Sequence, residues 1–469
     1  MRTILPPLAL LLAGCPPSLD SQDSAGDSLP PTDTAETASP VFGWPPYEAV
    51  PSWIAEDHGY GTGAAWADID GDGALDLVVS YGNDMSPGPL AVHLAREGSL
   101  GQEADWASTV EAYHAHLAVG DVDGDGLADV VVARFLGTDG FDAPGGISLY
   151  LNQGGYLPDE PSWESAAGFY CFSVALGDMD NDGDLDLAAA TGEPYHHDAE
   201  PDLLFLNEGG AFTEPPAWQS AEPTWSMDVG FFDANLDGAL DLAFARRGSP
   251  HAVHLNTGAG LAAGLPEGSP SLLAEGESFE GNSLDFGDVD GDGWPDLAVT
   301  DNQQLGGPGT VRLFAGPDLT LAWETAAPNA DYSAVALADL DDDDDLDLAV
   351  GAWWGAIGVH RDEGGLEPEP SWAAQDDSVV AEAFALHDLD GSYSREVEVR
   401  GPGPLLALPR PCQVRATSTP GAQGDGYFSA PTTEQVTITC RWSPAPDLLV
   451  TDWTRGVGNT LFAHRPAEP

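Results

Sequence analysis

Six nine-residue stretches of this chain concentrate aspartate at alternate positions and again at the ninth. They read DIDGDGALD from Asp68, DVDGDGLAD from Asp121, DMDNDGDLD from Asp178, DANLDGALD from Asp233, DVDGDGWPD from Asp288 and DLDDDDDLD from Asp339. Side chains at positions one, three, five and nine of such a stretch can close around one centre, and a glycine at position six lets the backbone turn sharply. Hard oxygen donors in that number suit a divalent cation that takes six or seven ligands, which is calcium; magnesium demands a tighter octahedron and holds its waters. Without a cation the carboxylates would repel one another and some would have to protonate.

The expected ligands are Asp68, Asp70, Asp72 and Asp76 in the first stretch, with the Ala74 carbonyl and water completing the shell. The second supplies Asp121, Asp123, Asp125 and Asp129, and the third Asp178, Asp180, Asp182 and Asp186. The fourth supplies Asp233, Asn235, Asp237 and Asp241, and the fifth Asp288, Asp290, Asp292 and Asp296. The sixth supplies Asp339, Asp341, Asp343 and Asp347. About six structural calcium sites follow. An EF-hand would need a glutamate at position twelve, where Val79, Val132 and Ala189 stand, and helices on either side.

The elements that must hold these loops are short strands. The six stretches, with decayed copies at Asp388 (DLDGSYSRE) and Thr439 (TCRWSPAPD), start 53, 57, 55, 55, 51, 49 and 51 residues apart. Within each period a small-residue run enters the acids, as in Ala118-Val119-Gly120, and an apolar run leaves them, as in Leu77-Val78-Val79. A third strand follows, as in Leu149-Tyr150-Leu151, then a Gly-rich turn and a tryptophan: Trp53, Trp106, Trp163, Trp218, Trp323 and Trp372 recur in phase. Four strands per repeat of about fifty residues predict an all-β propeller of four-stranded blades. Counting both decayed copies favours eight blades, with the strand at Trp53 completing the last and leaving no edge. Seven is the alternative, if the stretch Cys412–Cys440 is an insertion.

The unit resembles the FG-GAP or VCBS repeat of integrin α-chain propellers and their bacterial relatives, whose D-x-D-x-D-G-x-x-D-L pattern lies between the first two strands of a blade. The resemblance covers residues 43–465 and implies calcium in those loops. This sequence departs from the pattern at Asn235, at Asp344 in place of glycine, and at Ser392 and Tyr393 in the Asp388 copy, while the Thr439 copy keeps only Asp447.

The first residues are a targeting segment. Arg2, the apolar run Ile4–Leu12 and then Leu12-Ala13-Gly14-Cys15 resemble a lipoprotein signal peptide, 1–14, with lipidation at Cys15. Residues 15–42 are a Ser, Asp, Thr and Pro tether that cannot bury enough apolar surface to order itself. The expected location is therefore the bacterial cell envelope, outer membrane or cell surface, by lipid anchor, because no later segment has the length of apolar chain a membrane helix needs. Fourteen basic residues, all arginine, against 78 acidic ones give −64, which excludes nucleic acid as a partner. Cys412 and Cys440 are a disulfide candidate, and Cys171, in an apolar run, is expected to be a buried thiol.

Cations caged by carboxylates have few open positions, so the metals are expected to be structural. Binding would then use the opposite face, where Tyr60, Tyr113, Tyr170 and Trp225 each stand eight residues ahead of an acidic loop and either face a ligand or pack between blades. The loops at Tyr195–Asp198 and Trp353-Trp354 are further candidates. The expected role is a non-catalytic binding or adhesion module for a protein or glycan. The alternative is a carbohydrate-active lyase or hydrolase on the same scaffold; no Ser-His-Asp elbow, H-E-x-x-H helix or phosphate loop supports it, and His114 and His116 alone have the spacing of a strand-borne metal pair.

Overall fold

The computed structural model describes residues 46–464 except 57–58, 257–269, 277–278, 305, 327–329, 342, 344, 376–378, 390–394, 403–404, 408–411, 418–421, 425–426, 430–434, 443–445 and 454–457, and it describes only backbone strands between 395 and 442. The signal segment, Cys15 and the tether lie outside the described residues. No helix among the described residues is long and apolar enough to cross a membrane.

Seven four-stranded antiparallel sheets make up the body. Their first strands are Gly61–Ala67, Tyr113–Gly120, Cys171–Gly177, Trp225–Phe232, Gly281–Gly287, Asp331–Ala338 and Ala381–His387. Each lies beside the first strands of the two neighbouring sheets, and the last lies beside the first, so the strands close a ring around a central channel. Crowding there explains the small residues: a Cβ on Gly63 would come within 2.9 Å of the His116 backbone. Second strands begin at the ninth residue of each acidic loop, as in Asp76–Gly82, and all but Asp129–Gly137 are buried along their whole length. A strand pressed between two blades needs apolar residues on both faces, hence continuous runs such as Leu77-Val78-Val79 in place of alternation. Each such side chain contributes roughly 1.5–3 kcal/mol.

Six of the seven fourth strands carry a tryptophan, and these join blades. Trp53 of the last blade meets His93 of the first edge-on at 5.5 Å. Trp106 meets Tyr150 at 6.3 Å, Trp163 meets Phe205 at 6.3 Å, Trp218 meets His254 at 5.0 Å and Trp323 meets His360 at 5.3 Å. In every case the partner ring sits on the third strand of the following blade. The period of tryptophan in the sequence is therefore the period of the joints.

Eight blades were favoured by counting repeats; the molecule has seven. The copy at Asp388 and the Asp447 end of the copy at Thr439 belong to one blade, whose first strand Ala381–His387 pairs with Asp447–Asp452. The intervening chain forms two three-stranded sheets of its own, ordered Arg395–Pro402, Gln435–Trp442, Cys412–Thr417 and Leu405–Ala407, Tyr427–Ser429, Ala422–Gly424. Its length, close to one repeat, is what mimics an eighth period. Trp53–Ile54 pairs with Thr460–Phe462 and completes the last blade, so the last blade is built from two distant parts of the chain and the ring closes. The register sets Cys412 against Trp442 and Cys440 against Val414; their thiols lie outside the described residues. Cys171 is buried and free.

Candidate metal centres and the channel mouth

The ninth aspartate of each loop is a two-sided staple. One oxygen accepts from the N–H of the loop's second residue: Ile69 to Asp76 at 2.9 Å, Val122 to Asp129 at 2.8 Å, Met179 to Asp186 at 2.9 Å and Ala234 to Asp241 at 2.9 Å. The same bond joins Val289 to Asp296, Leu340 to Asp347 and Leu389 to Asp447, each at 3.0 Å. The other oxygen accepts from the end of the third strand, for example Ala95 to Asp76 at 2.8 Å and Asn152 to Asp129 at 2.7 Å. Loop closure and blade assembly thus share one carboxylate. The sequence marks this residue as a ligand; its backbone role becomes visible only once the third strand is in place.

Carboxylate oxygens of positions one, three and nine converge within 4.8 Å of one another in four loops: Asp68, Asp70 and Asp76; Asp121, Asp123 and Asp129; Asp178, Asp180 and Asp186; Asp288, Asp290 and Asp296. Position five stands outside those groupings and braces the loop, with Asp72 accepting from Ala74 N–H at 2.8 Å and Asp125 from Leu127 N–H at 2.9 Å. In the fourth loop Asn235 accepts from the Asp237 N–H at 2.9 Å, and Asp233 from the Gly238 N–H at 2.9 Å. Gly73, at position six, has φ of 91°, a left-handed value natural to glycine. Burial pushes Asp76 and Asp129 up to about 6, and Asp186, Asp241 and Asp347 up to about 8. Hard oxygens converging at this spacing, beside a ninth carboxylate whose charged form burial disfavours, fit a divalent cation, whose charge would favour the ionised form.

The first three loops are also gripped by the next blade. Asn152 Nδ2 donates to the Ile69 carbonyl at 2.8 Å, Asn207 to Val122 at 2.7 Å, and Asn256 to Met179 at 2.7 Å. Order in a loop is therefore order in a joint between blades.

The sixth loop differs. Its grouped carboxylates are Asp339, Asp341 and Asp343, and the Arg361 guanidinium reaches into them, with Nε donating to Asp341 Oδ2 at 2.5 Å and Nη2 lying 3.6 Å from Asp343. Sequence reading passed over Arg361.

On the opposite face, the loops between second and third strands surround the channel. Every first strand is broken by a register shift near its start, at Gly61/Gly63, Ser226/Asp228 and Ala381/Phe384, for instance. Polar side chains at that level serve the freed backbone groups. Asp228 accepts from Ser173 Oγ at 2.6 Å and from Leu284 N–H at 2.9 Å, tying three blades together. Asn282 donates to the Ser333 carbonyl at 3.1 Å, and Ser333 to that of Ala381 at 2.5 Å. His116 stands 3.6 Å from Asp228 and 4.0 Å from Glu382. Glu382 is fully buried, accepts from Trp353 Nε1 at 2.5 Å, and is pushed up to about 7 by burial. His114 is buried too, but a register shift separates it from His116.

Above this layer Asn83, Asp84, Phe135, Phe172, Tyr195 and Trp453 line a recess. Trp453 stacks on Trp353 at 5.2 Å, and Trp354 beside it is 64% exposed with φ of 53°. The aromatics expected to face a ligand are set further out. Tyr170 packs on Phe135 at 6.2 Å and donates its hydroxyl to the Phe141 carbonyl at 2.8 Å; Trp225 packs on His197 at 5.6 Å. Tyr113 packs against the core cluster of the second and third blades, and Tyr60 is half-buried before the first strand. Of the residues singled out from sequence, Tyr195 and His114 line the recess.

The FG-GAP-like repeat model matches the chain over residues 68–132, 121–189, 233–299 and 288–350. No curated protein sequence matches it. Among solved structures, the complex of BBS1N with ARL6DN soaked with lead aligns at 12% identity and a TM-score of 0.45, over 91% of this chain and 98% of that one. The same complex soaked with mercury aligns at 13% identity and 0.47, over 90% and 96%.

Proposed function

The chain belongs to the FG-GAP-like repeat family, and from that premise we propose that it is a calcium-stabilised binding module of the bacterial envelope, without catalytic activity, that engages a protein or glycan through the face opposite its acidic loops. The observation that carries the reading is the recess at the channel mouth, aromatic-walled and flanked by the exposed Trp354. A non-glycine residue held left-handed costs of order 1–3 kcal/mol, and such residues cluster at ligand-contact sites. An exposed indole there offers a flat apolar face to a sugar ring or a partner side chain. Calcium in the acidic loops would rigidify the blades that present this face. Cys15, lipidated behind its signal segment, would hold the module at the membrane through the 15–42 tether.

The test is capture from intact envelope or matrix material by the immobilised chain in calcium and in EGTA, with Trp354→Ala alongside. Capture that falls in both EGTA and the variant supports the reading. Undiminished capture by Trp354→Ala removes the recess from it, and turnover of a polysaccharide panel would favour the carbohydrate-active alternative. Release of a Cys15→Ser chain into the soluble fraction checks the anchor.

A further inference from the structure

Resting on the calcium reading of the other loops, we propose that in the sixth loop the guanidinium of Arg361 occupies the place of the divalent cation, so that this blade closes without metal. Strand register makes the position of Arg361 comparable across the ring. It precedes Asp362, whose N–H donates to Asp347 at 2.9 Å. The residues that donate in the same way to the other ninth aspartates are Ala95, Asn152, Asn207, Asn256, Gly316 and His464. They are preceded by Leu94, Leu151, Leu206, Leu255, Ala315 and Ala463. Six blades place a small or apolar residue here, and the sixth blade alone places a cation.

That cation stands against the loop with the greatest negative charge. From Asp339 to Asp347 every residue but Leu340 and Leu346 is aspartate. Arg361 donates to Asp341 through Nε at 2.5 Å, makes a second close contact with the same carboxylate through Nη2, and lies 3.6 Å from Asp343. Glu363 holds Nη1 from the other side. Asp341 and Asp343 are two of the three residues that would have to share a metal ion, and a guanidinium bound to them both occupies their oxygens and repels a second cation. A planar guanidinium is also weakly hydrated, so its desolvation at such a site costs less than that of an ammonium ion. Asp344 replaces the position-six glycine that shapes the other loops, Asp342 and Asp345 add further charge, and a tethered cation offsets it.

The experiment counts calcium per chain, by native mass spectrometry of the whole protein, in wild type and in Asp68→Asn, Asp339→Asn, Arg361→Gln and Arg361→Lys. Asp68→Asn is expected to lose one equivalent, while Asp339→Asn loses none. Arg361→Gln gains one, and Arg361→Lys, which keeps the charge, matches wild type. Loss of an equivalent in Asp339→Asn equal to that in Asp68→Asn overturns the proposal, as does an unchanged count in a folded Arg361→Gln. The two aspartate variants decide the matter even if Arg361→Gln does not fold. A wild-type chain that takes up no calcium at all sinks the calcium reading as well, a result distinct from the failure of Arg361 alone.

Discussion

The N–H of Leu389 donates to Asp447 Oδ2 at 3.0 Å across 58 residues of chain, where the equivalent bond of the first blade, Ile69 to Asp76, spans seven. The two ends of one acidic loop have been parted by a folded insertion without loss of the bond that closes it. The staple made by the ninth aspartate is therefore what defines a blade, and an unbroken acidic loop is dispensable to it.

It follows that the insertion can be removed. Replacing residues 391–446 by Gly-Asp-Gly-Ala-Leu, the sequence of Gly71–Leu75, restores a nine-residue loop running from Asp388 to Asp447. The shortened chain is expected to keep its far-ultraviolet spectrum and a cooperative melt, and to bind one more calcium than wild type. Loss of cooperative melting would show that the insertion is part of the last blade's stability.

Calcium withdrawal should be costly. A site occupied at a hundred times its dissociation constant adds about 2.7 kcal/mol to the folded state. With several loops loaded, excess EGTA is expected to lower the melting temperature by roughly 10 °C or more. A thermal scan that does not move in EGTA would remove the cation from the account.

Asp228 is expected to be a stability residue of the channel. Asp228→Ala leaves the buried Leu284 N–H and the Ser173 hydroxyl without their acceptor, at a cost of about 2–4 kcal/mol. Urea unfolding would read the loss, and Asp228→Asn, which keeps an acceptor oxygen, should cost less.

Glu382 gives the channel a pH dependence of defined sign. Burial raises its carboxyl from 4.5 to about 7, with His116, Trp353, Asn282 and Arg247 pulling the other way. A group raised in the folded state contributes stability that is full below its unfolded value and is lost as pH rises through its folded one. Wild type should therefore lose stability relative to Glu382→Gln on going from pH 5 to pH 8, by about 2–3 kcal/mol. A constant difference across that range would show that the carboxyl does not titrate there.

The repeat itself, the four-stranded blade, the closure by the strand at Trp53 and the convergence of aspartates in most loops were legible in the sequence, because each rests on contacts between residues close together in a period that recurs. A tryptophan every fifty residues can be seen without knowing that it meets His93 or His254 in the next blade. The count of blades was not legible, since an insertion about as long as one repeat is indistinguishable by spacing from a decayed repeat. Nor was the recess: Phe135, Phe172 and Trp453 carry no shared offset from the acidic loops, and only ring closure brings the second and third blades beside the seventh.

What the sequence determined by itself was local chemistry, carboxylates spaced to converge and strands patterned to be buried on both faces. What the tertiary structure decided was every pairing across blades: Asp447 with Leu389, Asn152 with Ile69, Arg361 with Asp341. Those partners are set by the closing of the ring, which brings together residues whose separation along the chain follows no rule that one repeat could express.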